Sequence, residues 1–149
     1  NRHVAQTFGL LLGDYLVEEL SNEYYLENFT HPILVVIPVS RKTKRARGYN
    51  QNHLIIHQAL TCGLSHYVRY EPDLIIKPQH TLPQSRTKNK QKRLGATRGV
   101  FVITDPQKIT GRNIILFDDV RTTGATIDEA TRLLLRAGAH KVMRVTLAH

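Results

Sequence analysis

Two adjacent aspartates and a turn rich in threonine and glycine are the residues best suited to chemistry in this chain. Asp118 and Asp119 directly follow an apolar run, and residues 122–126 are Thr-Thr-Gly-Ala-Thr. Neighbouring carboxylates repel each other, which is typical of a site that receives a cation or a ligand rich in hydrogen-bond donors. Ribose hydroxyls are such donors, and Mg²⁺ held by substrate phosphates is such a cation.

The turn after the aspartates has the properties of a phosphate site. Where a strand passes directly into a helix, free backbone N–H groups and the helix dipole favour a phosphate. Thr122, Thr123 and Thr126 can add hydroxyl donors, and Gly124 allows a phosphate to approach the backbone. The pattern therefore predicts a receptor for a ribose phosphate. The alternative is an ordinary strand–turn–helix, with Thr126 as the N-cap and the aspartates in a solvated turn.

Other ligand-binding motifs are missing from the sequence. It contains neither a G-x-x-x-x-G-K-[ST] loop nor a G-x-G-x-x-G turn, which argues against a nucleoside-triphosphate loop and a dinucleotide site. His53 and His57 have metal-ligand spacing, but Leu54 stands where a metalloprotease needs glutamate. We therefore expect no metal site at this histidine pair.

Alternating strand and helix patterns predict an α/β fold with a doubly wound, mainly parallel sheet. Strand patterns occupy residues 33–38, 73–76, 100–103, 114–117 and 142–148. Helical patterns occupy residues 4–20, 50–60 and 126–137, with Gly138 as a C-cap. In the first of these, the apolar residues at helical spacing are Val4, Phe8, Leu11, Leu12, Tyr15, Leu16 and Leu20. Ligands of such sheets bind beyond the carboxyl ends of the strands, so the aspartates and the basic residues after position 38 are expected at one edge.

Length and composition suit a single domain over residues 1–149. The chain is 41% hydrophobic and 22% charged, and no apolar run approaches the roughly 18 residues of a membrane span. There is no signal-peptide pattern, and the single cysteine, Cys62, is expected to be a buried thiol in a reducing compartment. These features predict a cytoplasmic protein.

Positive charge is concentrated ahead of the aspartates. The chain has 21 Lys and Arg against 12 Asp and Glu, a formal charge of +9, and residues 28–70 and 74–104 contain no acid. The basic residues there include Arg41, Lys42, Lys44, Arg45, Arg47, Arg86, Lys88, Lys90, Lys92, Arg93 and Arg98. A partner with several phosphates, either a nucleic acid or a small molecule, would be attracted to them. The alternative is a solvated basic surface.

Residues 115–126, ILFDDVRTTGAT, resemble the phosphoribosyl-pyrophosphate (PRPP) motif of type I phosphoribosyltransferases. The resemblance implies that fold, with residues 1–30 as a helical hood and residues 31–149 as the core. It implies that catalytic Asp118 and Asp119 contact the ribose hydroxyls of PRPP–Mg²⁺. The implied 5′-phosphate loop is Thr122, Thr123, Gly124, Ala125 and Thr126.

Residues 37–55 and 80–101 resemble the ComF family of competence-associated phosphoribosyltransferase-like proteins. The family signature R-G-[FY]-N-Q occurs as Arg47, Gly48, Tyr49, Asn50 and Gln51, and its T-x-x-Q as Thr81 and Gln84. The role of residues 47–51 is open: Asn50 is a candidate N-cap, while Tyr49 and Gln51 are candidates for the pocket of the nucleophile.

The resemblance also implies a mechanism in which pyrophosphate leaves C1 of the ribose and the protein positions the reactants. Ser40, Arg41 and Lys42 would bind pyrophosphate. Residues 77–99 would form a mobile loop that closes over the site, with Arg86, Lys88, Lys90 and Arg93 reaching the pyrophosphate.

Three functions are consistent with these patterns. The first is transfer of phosphoribosyl to an unknown acceptor, and the second is PRPP sensing without catalysis. The third is handling of single-stranded nucleic acid during natural transformation, with single-stranded DNA or competence-machinery proteins as partners. Few aromatic residues accompany the basic runs, which argues against a base-stacking platform. The oligomeric state stays open, with a homodimer as one option.

Overall fold

The computed structural model describes residues 2–39, 44–46, 49–78, 100–119 and 124–147. The helices of these described ranges include α1 (Arg2–Leu20), α2 (Glu23–Asn28), α3 (Gln51–Leu60) and α4 (Gly124–Arg136). The strands are β1 (Ile33–Val36), β2 (Arg69–Tyr70), β3 (Ile75–Ile76), β4 (Val102–Ile103), β5 (Asn113–Asp118) and β6 (Lys141–Thr146). Single 3₁₀ turns cover Leu64–His66 and Pro106–Lys108.

Four of the strands form the parallel sheet that the sequence predicts. Their order is β2-β1-β5-β6, and every neighbouring pair is parallel. All residues of β1 and β5 are buried, as expected for central strands with helices on both faces. Val36 pairs with Phe117, so β1 and β5 end side by side at the carboxyl edge of the sheet.

The two faces of the sheet bury separate hydrophobic clusters. Side chains of α1 and α3 pack with Leu34, Val36, Ile115 and Phe117 on one face. Side chains of α4 and of the β3–β4 pair pack with the alternate residues of the same strands on the other. The doubly wound arrangement is therefore confirmed. Glycine ends α4 as predicted, since Gly138 has a φ of +96°.

The apolar residues spaced along α1 are buried only in part, with Leu12, Leu16 and Leu20 in the core. Val4, Phe8, Leu11 and Tyr15 are between 37% and 60% exposed. Glycines take part in the contact instead: a Cβ at Gly9 would lie 2.6 Å from the Ile55 oxygen, and one at Gly13 would lie 2.7 Å from the Ala59 oxygen. The absence of side chains at these two positions lets α1 lie directly against the backbone of α3.

The predicted strands at residues 73–76 and 100–103 form an antiparallel pair. Ile75 pairs with Ile103 and Ile76 with Val102, which brings the two ends of the long basic segment together. Residues 79–99, which are most of the predicted mobile loop, lie outside the described residues.

Residues 1–30, the predicted hood, also contribute to the core. Leu12, Leu16 and Leu20 of α1 belong to the same cluster as the sheet residues. A role for this segment over an acceptor stays a prediction.

Two elements, α2 and β2, carry no clear pattern in the sequence, and β2 is only two residues long. Within the described ranges, no helix combines the length and apolarity needed to cross a membrane.

Candidate functional site

The aspartate pair lies where the parallel sheet places its ligands. Asp118 is the last residue of β5, and Asp119 follows it at the carboxyl edge. Both are buried, with 1% and 6% of their surface exposed. The alternative, in which the aspartates lie in a solvated turn, is therefore wrong for these two residues. Two carboxylates removed from water at a strand end need polar or cationic partners, which is a property of a binding site rather than of a surface turn.

Asn52 joins the end of β1 to the end of β5, and the sequence prediction missed it. Its Nδ2 donates to the backbone oxygen of Ile37 at 3.1 Å, and its side chain also hydrogen bonds with Asp118. Asn52 is fully buried in the first turn of α3. It shares the buried helical face with Ile55, Ile56 and Ala59. A polar residue at this apolar spacing is the signal that could have identified it.

The environment of Asp118 makes its ionised form unfavourable. Burial is the main cause, and the neighbouring charge of Asp119 adds to it; together they raise the pKa of Asp118 to about 7. Hydrogen bonds from the Asp119 backbone and the Asn52 side chain act in the opposite direction. A cation or a donor-rich ligand beside Asp118 would favour the carboxylate.

The predicted phosphate loop is described from Gly124 onward, while Thr122 and Thr123 lie outside the described residues. Gly124 and Ala125 are exposed at the first turn of α4, and Thr126 is partly exposed. A Cβ built on Gly124 would meet nothing within 4 Å among the described residues. Because Thr126 lies within α4, the alternative with Thr126 as N-cap is wrong.

The described part of the 47–51 signature leads into α3. Asn50 is the N-cap: its side-chain oxygen accepts from the Asn52 backbone N–H at 3.1 Å, as predicted. The Arg2 guanidinium lies 5.8 Å from the ring centre of the partly buried Tyr49. Through its cap, the signature positions the helix turn that carries Asn52. Arg47 and Gly48 lie outside the described residues.

Other predicted site residues fall in the same gaps. Ser40, Arg41 and Lys42 lie outside the described residues, as do Arg86, Lys88, Lys90 and Arg93. Their roles with pyrophosphate stay predictions. Lys44 and Arg45, which follow the first gap, are exposed.

His53 and His57 form a cluster with Tyr70 on the flank of α3 that faces β2. His53 Nδ1 hydrogen bonds with the Tyr70 hydroxyl, and the His57 ring lies edge-on to Tyr70 at 5.6 Å. Burial lowers the pKa of His53 and raises that of Tyr70. Among the described residues, no group of three or more His, Cys, Asp or Glu side chains is arranged to hold a metal ion.

Cys62 is half-buried rather than fully buried as predicted.

Comparison with known proteins gives the chain its relatives. No protein-family model matches it. It is 32% identical over 141 residues to competence protein ComFC of Streptococcus pneumoniae, covering 91% of this chain and 57% of that protein. This chain is homologous to the ComF competence proteins. It is also 28% identical over 140 residues to the DNA utilization protein YhgH of Escherichia coli O6:H1, covering 94% of this chain and 51% of that protein.

The fold comparison agrees with this relationship. The hypoxanthine phosphoribosyl transferase of Trypanosoma cruzi superposes with a TM-score of 0.57 at 9% identity, covering 99% of this chain and 65% of that structure. The chain therefore has the type I phosphoribosyltransferase fold, and the predicted resemblance to ComF proteins is confirmed. The chain spans about half the length of the curated relatives it matches.

Proposed function

We propose that this ComF-like chain binds PRPP at the carboxyl edge of its sheet. Asp118 and Asp119 accept hydrogen bonds from the ribose hydroxyls, and the first turn of α4 receives the 5′-phosphate. The observation that carries the proposal is the burial of both aspartates at the end of β5, a few residues before the exposed N-terminus of α4. Carboxylates suit hydroxyl donors, and a helix N-terminus suits a phosphate.

Asn52 supports the same assignment. Its Oδ1 atom is buried and has no hydrogen-bond partner among the described residues, beside a carboxyl group that its amide already contacts. A buried acceptor without a donor is costly, and a ribose hydroxyl would satisfy it. Asn52 would thus orient Asp118 and also contact the sugar.

The carboxylates also fit Mg²⁺ brought in by PRPP. The magnesium would be held mainly by the phosphates of PRPP, near Asp118 and Asp119, where burial and the neighbouring charge of Asp119 raise the pKa of Asp118. When bound, the ion neutralises the charge of the pyrophosphate group. The chain's own residues bind and orient the ribose and keep water from its reacting carbon.

We propose further that the protein transfers phosphoribosyl from PRPP to an acceptor, in the cytoplasm and in connection with DNA uptake. The basic residues of the predicted pyrophosphate segment and loop would stabilise the leaving group. The link to DNA rests on the relatives, which are named competence and DNA utilization proteins. A PRPP sensor without catalysis is the alternative, and the same site would serve it.

Pyrophosphate release separates the enzyme from the sensor. The protein is incubated with PRPP, Mg²⁺ and a panel of bases and amines, and released pyrophosphate is measured. We expect release that depends on one class of acceptor and that is lost in Asp118→Asn/Asp119→Asn. PRPP binding without acceptor-dependent release from any member of the panel would contradict transfer and favour the sensor.

A further inference from the structure

The amino-terminal edge of the sheet, opposite the aspartate pair, is lined with basic residues. Each of the four parallel strands begins next to one. His31 stands just before β1, Arg69 is the first residue of β2, Arg112 directly precedes β5, and Lys141 is the first residue of β6. Because the strands are parallel, these four positions meet at one edge.

A cavity of about 300 Å³ opens at this edge and is lined by His31, His66, Tyr67, Val68, Arg69 and Arg112. We call it the amino-edge pocket. Its volume lies at the lower end of the range for small-molecule sites. Two guanidinium groups and two imidazoles supply hydrogen-bond donors, and Tyr67 supplies an aromatic ring.

Positive charge exceeds negative charge around the pocket. Glu71 is the acid paired with Arg69, its carboxylate lying 2.9 Å from Arg69 Nε. The same carboxylate is shared with Lys108 at 3.2 Å. A guanidinium has five N–H donors, so the contact through Nε leaves Arg69 able to bind a second anion.

The backbone at His31 is held in an unusual conformation. Its φ of 45° makes it the one non-glycine residue with positive φ in the described part of the chain. Such a conformation persists in a side-chain-bearing residue only where its surroundings enforce it. Here the His31 carbonyl accepts a hydrogen bond from Arg112 at 3.4 Å, which fixes the rim between two lining residues.

The amino-edge pocket is separate from the proposed PRPP site. Strand β5 runs from Asn113 to Asp118, so Arg112 and Asp118 lie at its opposite ends. At about 3.3 Å per residue, six residues place them roughly 20 Å apart. One small ligand cannot contact both.

We propose that the amino-edge pocket binds a nucleoside monophosphate, with the phosphate on Arg69 and Arg112 and the base against Tyr67 and the imidazoles. Guanidinium forks match the oxygens of a phosphate. The volume exceeds what a phosphate alone requires, and flat rings beside the cations suit a base. This site goes beyond the proposed PRPP chemistry and does not depend on it.

The test follows the imidazole NMR signals of His31 and His66 while adenosine 5′-monophosphate is added to the protein. Both signals are expected to shift saturably, and adenosine without phosphate should leave them nearly unchanged. Arg69→Gln and Arg112→Gln, made separately, should each weaken binding by about tenfold or more, because each removes a charge-assisted hydrogen bond. Arg132→Gln on α4 removes the same charge elsewhere and should bind as the unmodified chain does.

Asp118→Asn/Asp119→Asn distinguishes this pocket from the PRPP site, since it should retain full binding of adenosine 5′-monophosphate. Circular dichroism establishes whether each variant is folded. If one arginine variant does not fold, the other still provides a result. Equal binding by the folded arginine variants and Arg132→Gln would overturn the proposal. Shifts caused by a short single-stranded oligonucleotide but not by the mononucleotide would also overturn it.

Discussion

At the scale of residues, the local sequence pattern predicts Asp118 as a site residue but does not predict Asn52. The aspartates could be predicted because their two charges are adjacent in sequence and follow an apolar run. Asn52 could not be assigned a role that way, since its contacts are to Ile37 and Asp118, far from it in the chain. Long-range hydrogen bonds leave no local signal beyond a polar residue on an apolar helix face.

The raised pKa of Asp118 predicts a pH-dependent stability. The folded state holds the proton up to a pH of about 7, whereas the unfolded chain loses it near the ordinary value of 3.8. The folded state therefore binds more protons between these values, so the free energy of unfolding should fall as the pH rises through this window. Asp118→Asn removes the buried charge and should be the more stable protein above pH 7.

Thermal unfolding at about pH 5 and about pH 8 checks this linkage. We expect Asp118→Asn to raise the melting temperature by several degrees at the higher pH and by much less at the lower one. Asp128→Asn changes a half-exposed surface carboxylate and removes its ion pair with Arg144. Its effect on the melting temperature should not depend on pH in this way. If Asp118→Asn changed the melting temperature by the same amount at both pH values, that result would contradict the raised pKa of Asp118.

At the scale of elements, the sequence located the main helices and strands but only part of the buried face of α1. Of the apolar residues at helical spacing in α1, Leu12, Leu16 and Leu20 are buried, whereas the side chains of Val4, Phe8, Leu11 and Tyr15 are exposed. Gly9 and Gly13 form the contact with α3 instead. Hydrophobic spacing could not reveal this because a glycine contributes to packing through the space it leaves empty.

Gly9→Ala should therefore destabilise the protein even though alanine favours helix formation. The new Cβ would lie 2.5 Å from Gln58 Cβ and 2.6 Å from the Ile55 oxygen, so the two helices would have to separate. Overpacking of this kind costs about 1–3 kcal/mol. The variant should lower the midpoint of chemical denaturation, whereas Gln6→Ala, at an exposed position of α1, should change it little. A midpoint for Gly9→Ala equal to or above that of Gln6→Ala would show that the crossing tolerates a side chain.

At the scale of the whole molecule, two groups of charged residues lie at opposite edges of the parallel sheet. Its carboxyl edge holds Asp118 and Asp119, and its amino edge holds His31, Arg69 and Arg112. The alternation of strands and helices predicted the carboxyl-edge site, because ligands of such sheets bind there. The amino-edge pocket had no motif, since its residues come from three separate segments of the chain that only the sheet brings together.

The proposed PRPP site depends above all on the aspartate pair, and titration calorimetry with PRPP and Mg²⁺ measures what the pair contributes to binding. Asp118→Asn/Asp119→Asn keeps the shape of both side chains and removes their charges, while Asp128→Asn on α4 is the control. We predict saturable binding by the unmodified chain and by the control. Loss of the charge-assisted hydrogen bonds to the sugar should weaken binding by the double variant about a hundredfold or more. Unchanged PRPP affinity in the folded double variant would contradict the account.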